Sequence, residues 1–255
     1  MTPAYTCHRT PGKLDWAKAP SSPRFVDMVS GEPAWFDTRA AMLWDEENLY
    51  VRFWGESPAI EARQTERDSL IFLESDFELF IDGGDAYYEF EINAANTVYE
   101  VFFIWKDAYG KFDAGEFSLT GRDALSFGGD ADRSGETFWR GTHPRGTRWA
   151  FLDYDFEGLE TSVEVDGYLN DRMKLSRGWS AEARFPWAGM KHLAAGRPLP
   201  PKDGDMWRFF FGRFEKLMAG GREVQPHPAW CWTAHGVYDT RSEEHTSELQ
   251  SPNTI

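Results

Sequence analysis

Between residues 75 and 105 the chain carries side chains suited to gripping a polyhydroxyl ligand. In AYYEFEIN (86–93), alternation sends Tyr87, Glu89, Glu91 and Asn93 to one face of a strand and Tyr88, Phe90 and Ile92 to the other. SDFELFID (75–82) alternates in the same way, so Glu78 can lie beside that polar stripe. Carboxylates and amides hydrogen-bond a rim of hydroxyls, while a flat aromatic ring covers the apolar face of a sugar. The same acids and amide are also an oxygen-rich donor set for Ca²⁺. A charged, solvated outer face is the plainest alternative. Glu78 with Glu89 or Glu91 further admits a glycosidase pair, because two acids flanking a bond suffice for that chemistry. With 42 Asp and Glu in the chain, such pairs also arise by chance.

Other reactive arrangements are weaker. Asp82 and Asp85 flank Gly83–Gly84, an acidic turn that is a candidate metal site without EF-hand spacing. There is no GxSxG elbow, P-loop or HExxH motif, and His143, His227 and His235 stand in loop-like contexts. Trp44, Trp54, Trp187 and Trp207 have the apolar neighbours of core residues, and Trp16 suits a plug at one end of a sandwich. Trp139 and Trp149 fall in or beside a long loop, where a ring is freer to meet a ligand. Trp105 and Trp232 are placed to line one rim with Asn93.

These residues need strands to hold them, and period-two alternation dominates the sequence. TRAAMLW (38–44) and NLYVRFW (48–54) flank an acidic turn and read as a hairpin. Residues 75–82, 86–93 and 97–105 form a three-strand meander across GGD and AAN turns. Residues 106–147 read as a long insertion loop. GLETSVEVDG (158–167) and GWSAEARFPW (178–187) form another hairpin, after which Pro186 opens one short helix capped by Gly196. MWRFFFGRFE (206–215) and AWCWTAHGVY (229–238) complete the set. About ten strands and one short helix predict an all-β, two-sheet antiparallel sandwich of jelly-roll or immunoglobulin-like type, in one domain over residues 1–240.

Composition supports a thick core: 41% of residues are hydrophobic and 16% aromatic, with 12 Trp and 20 Phe. A formal charge of −15 repels phosphate backbones and argues against nucleic acid as partner. No run reaches the ~18–20 apolar residues that span a membrane, and the first residues lack the apolar stretch of a secretory signal. Cys7 and Cys231 are too few for a disulfide framework and read as buried free thiols. Residues 241–255 break the pattern. RSEEHTSELQS reads as the in-frame translation of a sequencing adapter, and a disordered tail is expected there. Without its one Arg and three Glu, the formal charge is −13 instead of −15.

In order along the chain, GKLDWAKA (12–19), AAMLWDEENLYV (40–51), SDFELFIDGGDAYYEFEINAANTVYE (75–100), GWSAEARFPW (178–187), PPKDGDMWRFFFGRFE (200–215) and AWCWTAHGVYD (229–239) resemble the family 9 carbohydrate-binding modules, DOMON-like β-sandwiches. The resemblance implies non-catalytic binding of a glucan- or xylan-type sugar, without a required cofactor but with structural Ca²⁺ as an option. It further implies a glycoside hydrolase domain as partner in a full-length protein and an extracellular or periplasmic setting. By motif, the two rings that sandwich the sugar fall at Phe72 and Tyr238, the carboxylate at Glu78 and the amide at Asn93. A family Arg falls at Glu91, so that donor is absent. The expected sugar site is therefore Phe72, Glu78, Glu89, Glu91, Asn93, Trp105, Trp232 and Tyr238, with Asp82 and Asp85 the metal candidates.

Overall fold

The computed structural model describes residues 4–127, 145–236 and 238, together with the backbone of 251–254. Trp139 and His143 lie outside the described residues. In chain order the strands are β1 (Tyr5–Thr6), β2 (His8–Arg9), β3 (Val26–Asp27), β4 (Thr38–Trp44), β5 (Asn48–Glu56), β6 (Asp76–Asp82), β7 (Ala86–Asn93), β8 (Val98–Trp105), β9 (Ala124–Phe127), β10 (Arg148–Phe151), β11 (Glu160–Asp166), β12 (Gly178–Pro186), β13 (Met206–Phe214), β14 (Met218–Ala219), β15 (Arg222–Glu223), β16 (Ala229–Cys231) and β17 (Ser251–Thr254). The larger sheet runs β1-β17-β13-β6-β7-β8-β10-β9, with β16 also beside β13 and β3 beside β16. The smaller sheet runs β11-β12-β5-β4-β2, and β14-β15 is a separate hairpin. The chain is thus the predicted all-β sandwich.

Each predicted hairpin forms in antiparallel register. Ala40 faces Phe53 across β4-β5, Glu78 faces Glu91 across β6-β7, and Glu91 faces Tyr99 across β7-β8. The predicted insertion loop is partly regular. Its described ends supply β9 and β10, which extend the meander because β10 pairs β8 and β9 pairs β10. The short helix is a 3₁₀ element at Trp187–His192. In the tail, the backbone of Ser251–Thr254 pairs with β13 and β1. Residues 206–209 of β13 would otherwise present an open edge, and an open edge templates strand pairing.

Alternation explains the core. Phe77, Leu79 and Ile81 of β6, Tyr88, Phe90 and Ile92 of β7, and Trp207, Phe209 and Phe211 of β13 point inward. They meet Met42, Val51, Phe53, Trp179 and Phe185 from the smaller sheet. Trp44, Trp187 and Trp207 lie in this core as expected, and Cys7 and Cys231 are buried free thiols. Trp54 does not join them. It alternates with Phe53 and stands on the outer face of the smaller sheet. Its sequence neighbours are apolar on both sides, so composition alone could not assign its face.

One charged residue crosses the core. Arg213 is fully buried, donates through Nε and Nη2 to Glu215 at 3.2 and 2.7 Å, and reaches Thr38 Oγ1 and the Glu56 carbonyl of the smaller sheet at 2.7 and 2.8 Å. Ser57 Oγ donates to the other Glu215 oxygen at 2.7 Å. Gly55 makes this possible, since a Cβ there would lie 2.3 Å from Arg213 Nη1. Removing one member of a buried ion pair strands the other, which costs about 3–5 kcal/mol. Arg213→Ala should therefore lower the unfolding free energy by that amount in a denaturant titration. A loss below about 1 kcal/mol would show that the pair does not tie the sheets.

Candidate functional site

The expected polar stripe exists, but it is not solvated. Glu78, Glu89, Glu91 and Asn93 all face away from the sandwich core, yet each is at most 1% exposed. All eight residues of β7 and all eight of β8 are buried. The outer face of the larger sheet is covered by a second layer of rings and aliphatics, including Ile71, Phe80, Tyr87, Tyr99, Val101, Phe103 and Trp105.

Register places the acids in rows. Phe214, Asp76 and Asn93 lie side by side across β13, β6 and β7. The next row is Gly212, Glu78, Glu91 and Tyr99, and the next is Phe210, Phe80, Glu89 and Val101. One carboxylate oxygen each from Asp76, Glu78 and Glu91 lie within 4.8 Å of one another. Glu89 sits one row away. Gly212 leaves room at the centre, because a Cβ there would come within 2.8 Å of the Phe210 ring and 3.0 Å of Glu78 Oε2.

Aromatic side chains flank this floor. Phe72, in the short 3₁₀ turn Ile71–Leu73, is half-buried and meets Tyr99 edge-on at 5.5 Å. On the β13 side, Tyr238 meets Phe214 at 5.5 Å and His235 meets Phe210 at 5.5 Å. The Tyr238 hydroxyl donates to the His227 carbonyl. Burial raises the Tyr238 pKa, and the charges of Glu78 and Asp76 raise it further, which sets this phenol near the acids. Phe72, Glu78, Glu91 and Tyr238 are thus brought to one region of the outer face.

Other expected members are not. Asn93 is committed to the β7-β8 turn: its Nδ2 donates to the Gln64 carbonyl at 2.9 Å, and its Oδ1 accepts from Ala95 and Thr97 amides at 2.9 and 3.0 Å. It is a structural clamp, as an Asn beside a tight turn often is. Trp232 belongs to the sandwich core, 5.5 Å from both Tyr5 and Phe211. Trp105 stands at the opposite end of β8 from the turn, roughly 20 Å along the strand at ~3.3 Å per residue. There the Arg145 and Arg148 guanidinium groups lie over its ring at 5.4 and 5.2 Å. Asp82 and Asp85 are engaged by groups of the chain itself. The two Asp85 oxygens pair with Lys111 and Arg145, each at 2.5 Å, and Asp82 accepts from the Gly84 amide at 2.6 Å. A turn rich in Asp attracts the chain's own Lys and Arg as readily as a metal.

Sequence reasoning missed Asp76 as a site residue, although its alternation matches that of Glu78. It also missed Gly212, whose signal is a lone glycine inside the MWRFFFGRF strand. The acid cluster must hold its charge down. Burial drives the Asp76 pKa well above the usual carboxylate range, against the backbone hydrogen bond from Phe214 and a side-chain hydrogen bond with Glu91. A carboxyl–carboxylate hydrogen bond requires a shared proton. Oxygen donors at this spacing also fit Ca²⁺, which takes oxygens at ~2.3–2.6 Å.

Since burial raises its pKa, Asp76 holds its proton more tightly in the folded chain than in the unfolded one. Its contribution to stability then falls as pH rises above the unfolded value of about 4 toward the folded pKa. Asn mimics the protonated acid and can keep the Phe214 hydrogen bond. With EDTA present, the unfolding free energy of Asp76→Asn minus that of the parent chain should grow with pH above about 4, by up to ~1.4 kcal/mol per pH unit. A difference flat across pH 4–8 would show that Asp76 is ionised throughout.

Comparison with known proteins places the fold. No protein-family model matches the chain, and no curated protein does. Among solved structures, a family 9 carbohydrate-binding module from Caldicellulosiruptor kristjanssonii in complex with cellotriose superposes over 98% of this chain and 92% of its own, with a TM-score of 0.53 and 14% identity. The complex of such a module with glucose gives a TM-score of 0.51 at 14% identity, over 98% and 93% of the two chains. A candidate carbohydrate-binding protein from Bacteroides uniformis gives 0.59 at 10% identity, over 100% and 99%. At such identities the likeness is one of fold.

Proposed function

We propose that this sandwich, whose fold is that of the carbohydrate-binding modules, binds a glucan- or xylan-type saccharide without cleaving it. The observation that carries the reading is the likeness of fold, over 98% of this chain, to modules in complex with cellotriose and with glucose. On the outer sheet face the partly exposed rings of Phe72 and Tyr238 offer the apolar contact a pyranose face wants, while Glu78 and Glu91 lie buried beneath and would accept from its hydroxyls once that cover opens. Glu91 stands where a cationic donor would favour anionic sugars, so the ligand is a neutral one. Service to polysaccharide degradation, beside a glycoside hydrolase domain in the full-length protein, follows as the biological role. Among the described residues no helix is long and apolar enough to cross a membrane.

Binding rather than hydrolysis is favoured by the placement of the acids on a single sheet face. A retaining glycosidase holds its two carboxyl groups ~5–5.5 Å apart and an inverting one ~6.5–9.5 Å, on opposite sides of the bond. Asp76, Glu78 and Glu91 instead lie together in one buried patch, with a hydrogen bond between Asp76 and Glu91.

Calorimetry with glucose, cellotriose and xylotriose tests this reading. Binding should be enthalpic and free of reducing-sugar release, and Phe72→Ala and Glu78→Gln should each weaken it at least tenfold, or ~1.4 kcal/mol, with melting temperature preserved. Sugar release lost in Glu78→Gln would replace the binder with an enzyme.

Ca²⁺, if the protein takes it, would be held by Asp76, Glu78 and Glu91, where it would neutralise three buried acids. Millimolar CaCl₂ should then raise the melting temperature over EDTA, and Asp76→Asn with Glu78→Gln should erase the difference. Equal melting temperatures in Ca²⁺ and EDTA would leave the shared proton as the neutralising agent.

A further inference from the structure

The smaller sheet has a cavity of its own. Its outer face and the segment around Trp16 enclose about 660 Å³, within the ~300–1,000 Å³ usual for small-ligand sites. This space lies on the opposite sheet from the acid cluster, and no described acid of that cluster lines it.

Its construction follows from alternation. On β5, Val51 and Phe53 go inward, so Arg52 and Trp54 go outward. On β12, Trp179 and Ala181 go inward and Ser180 goes outward, opposite Trp54 in register. Ala41 of β4 keeps the floor low, being the cross-strand partner of Arg52. The far wall is Trp16, in a 3₁₀ turn started by Asp15, whose Oδ1 accepts from the Ala17 amide at 3.1 Å. Trp16 is therefore not the end plug expected from sequence. It stands half-buried over a sheet face, across a cavity that Trp54 also lines.

The lining chemistry is mixed. Two indoles provide flat apolar surface. Arg52, which also pairs with Glu182 at 3.6 Å, provides donors, Glu56 and Glu164 provide acceptors, and Arg177 and Asp166 pair with each other at 2.6 and 2.7 Å on the rim. Two of the wall's donors, Trp16 Nε1 and Arg52 Nε, are shielded from water and have no hydrogen-bond partner. With two cations against three anions, the lining disfavours a phosphate or a polyanion. A fatty chain would leave these charged groups unsatisfied. A neutral polyol with an apolar face meets every requirement.

We infer that the outer face of the smaller sheet is a second saccharide-binding groove, with Trp16 and Trp54 as its ring platforms and Arg52 as its central donor. The protein would then hold glycan on both sides of the sandwich. This inference goes beyond the site described above and stands or falls separately from it.

The test is calorimetry and tryptophan fluorescence with cellohexaose and xylohexaose on the full chain. Ser180→Trp fills the groove without removing any contact residue, and Trp54→Ala removes a platform; melting temperatures confirm that both variants fold. The expected result is two binding events in the parent chain. One should be lost in Ser180→Trp, weakened at least tenfold in Trp54→Ala, and unchanged in Phe72→Ala. A single event that survives Ser180→Trp and vanishes in Phe72→Ala would overturn the groove and leave the other site standing. A single event with the opposite pattern would sustain the groove and overturn the first site. No binding to either oligosaccharide would overturn both.

Discussion

A carboxylate taken out of water must find a cation, a set of donors or a proton, and the larger sheet of this protein carries that obligation on both faces. It meets it in three ways. Glu215, on the core side, has a fully buried guanidinium and a serine hydroxyl. Glu100, also facing the core, accepts from the Tyr88 hydroxyl and from the Phe156 amide at 3.1 Å, and pairs with Arg67, which reaches in from a half-exposed position. On the outer face, Asp76 accepts from the Phe214 amide at 3.3 Å and shares a hydrogen bond, and with it a proton, with Glu91. Arg213 is the nearest strand neighbour that could have helped, being two residues along β13 from Phe211 and facing Phe77 in register. Its side chain is on the core side, spent on Glu215, and Glu215 adds its own negative field to Asp76. The ion pair that joins the sheets therefore also withholds a positive charge from the outer face.

This explains which parts were legible from sequence. The hairpins and the meander follow from alternation and turn residues, both local properties, and they form within a residue or two of where the pattern puts them. The side of the sheet to which Glu78, Glu89 and Glu91 point follows from the same period of two. What alternation cannot report is whether an outward face meets solvent. That depends on segments distant in sequence, here the Ile71–Leu73 turn and the residues after β16, folding back over the meander. A stripe of Glu suggests water, and the apolar side chains of Phe80, Tyr99, Val101 and Phe103 on the same face hinted otherwise.

The misplaced residues have related causes. Asn93 is at the end of a strand and also at the start of a tight turn, and the turn claims its side chain because three backbone groups need partners there. Trp232 follows a three-residue strand, too short for its own alternation to choose a side. Trp54 shares its outer face with Tyr50, Arg52 and Glu56, so alternation puts the ring outside although its aromatic character and its neighbour Phe53 suggest burial. Chemistry-bearing residues at strand ends are those for which periodicity says least.

The smaller sheet bears on what a sandwich of this kind can do. Its inner face is as apolar as any in the protein, so the sheet cannot turn over, and the outward set is fixed as Arg52, Trp54, Ser180 and their neighbours. Placing a tryptophan in that set exposes an expensive ring that a Ser or Thr would have replaced at no cost to the core. The short turn at Trp16 brings a second indole to the same cavity, and it does so through a segment anchored by β1 and by the pairing of β2 with β4. Two unrelated stretches of chain thus converge their largest side chains over a floor kept small by Ala41. Simple core packing has no use for that arrangement, because the rings lie outside the core, whereas a flat ligand seated between them accounts for the rings and the floor together.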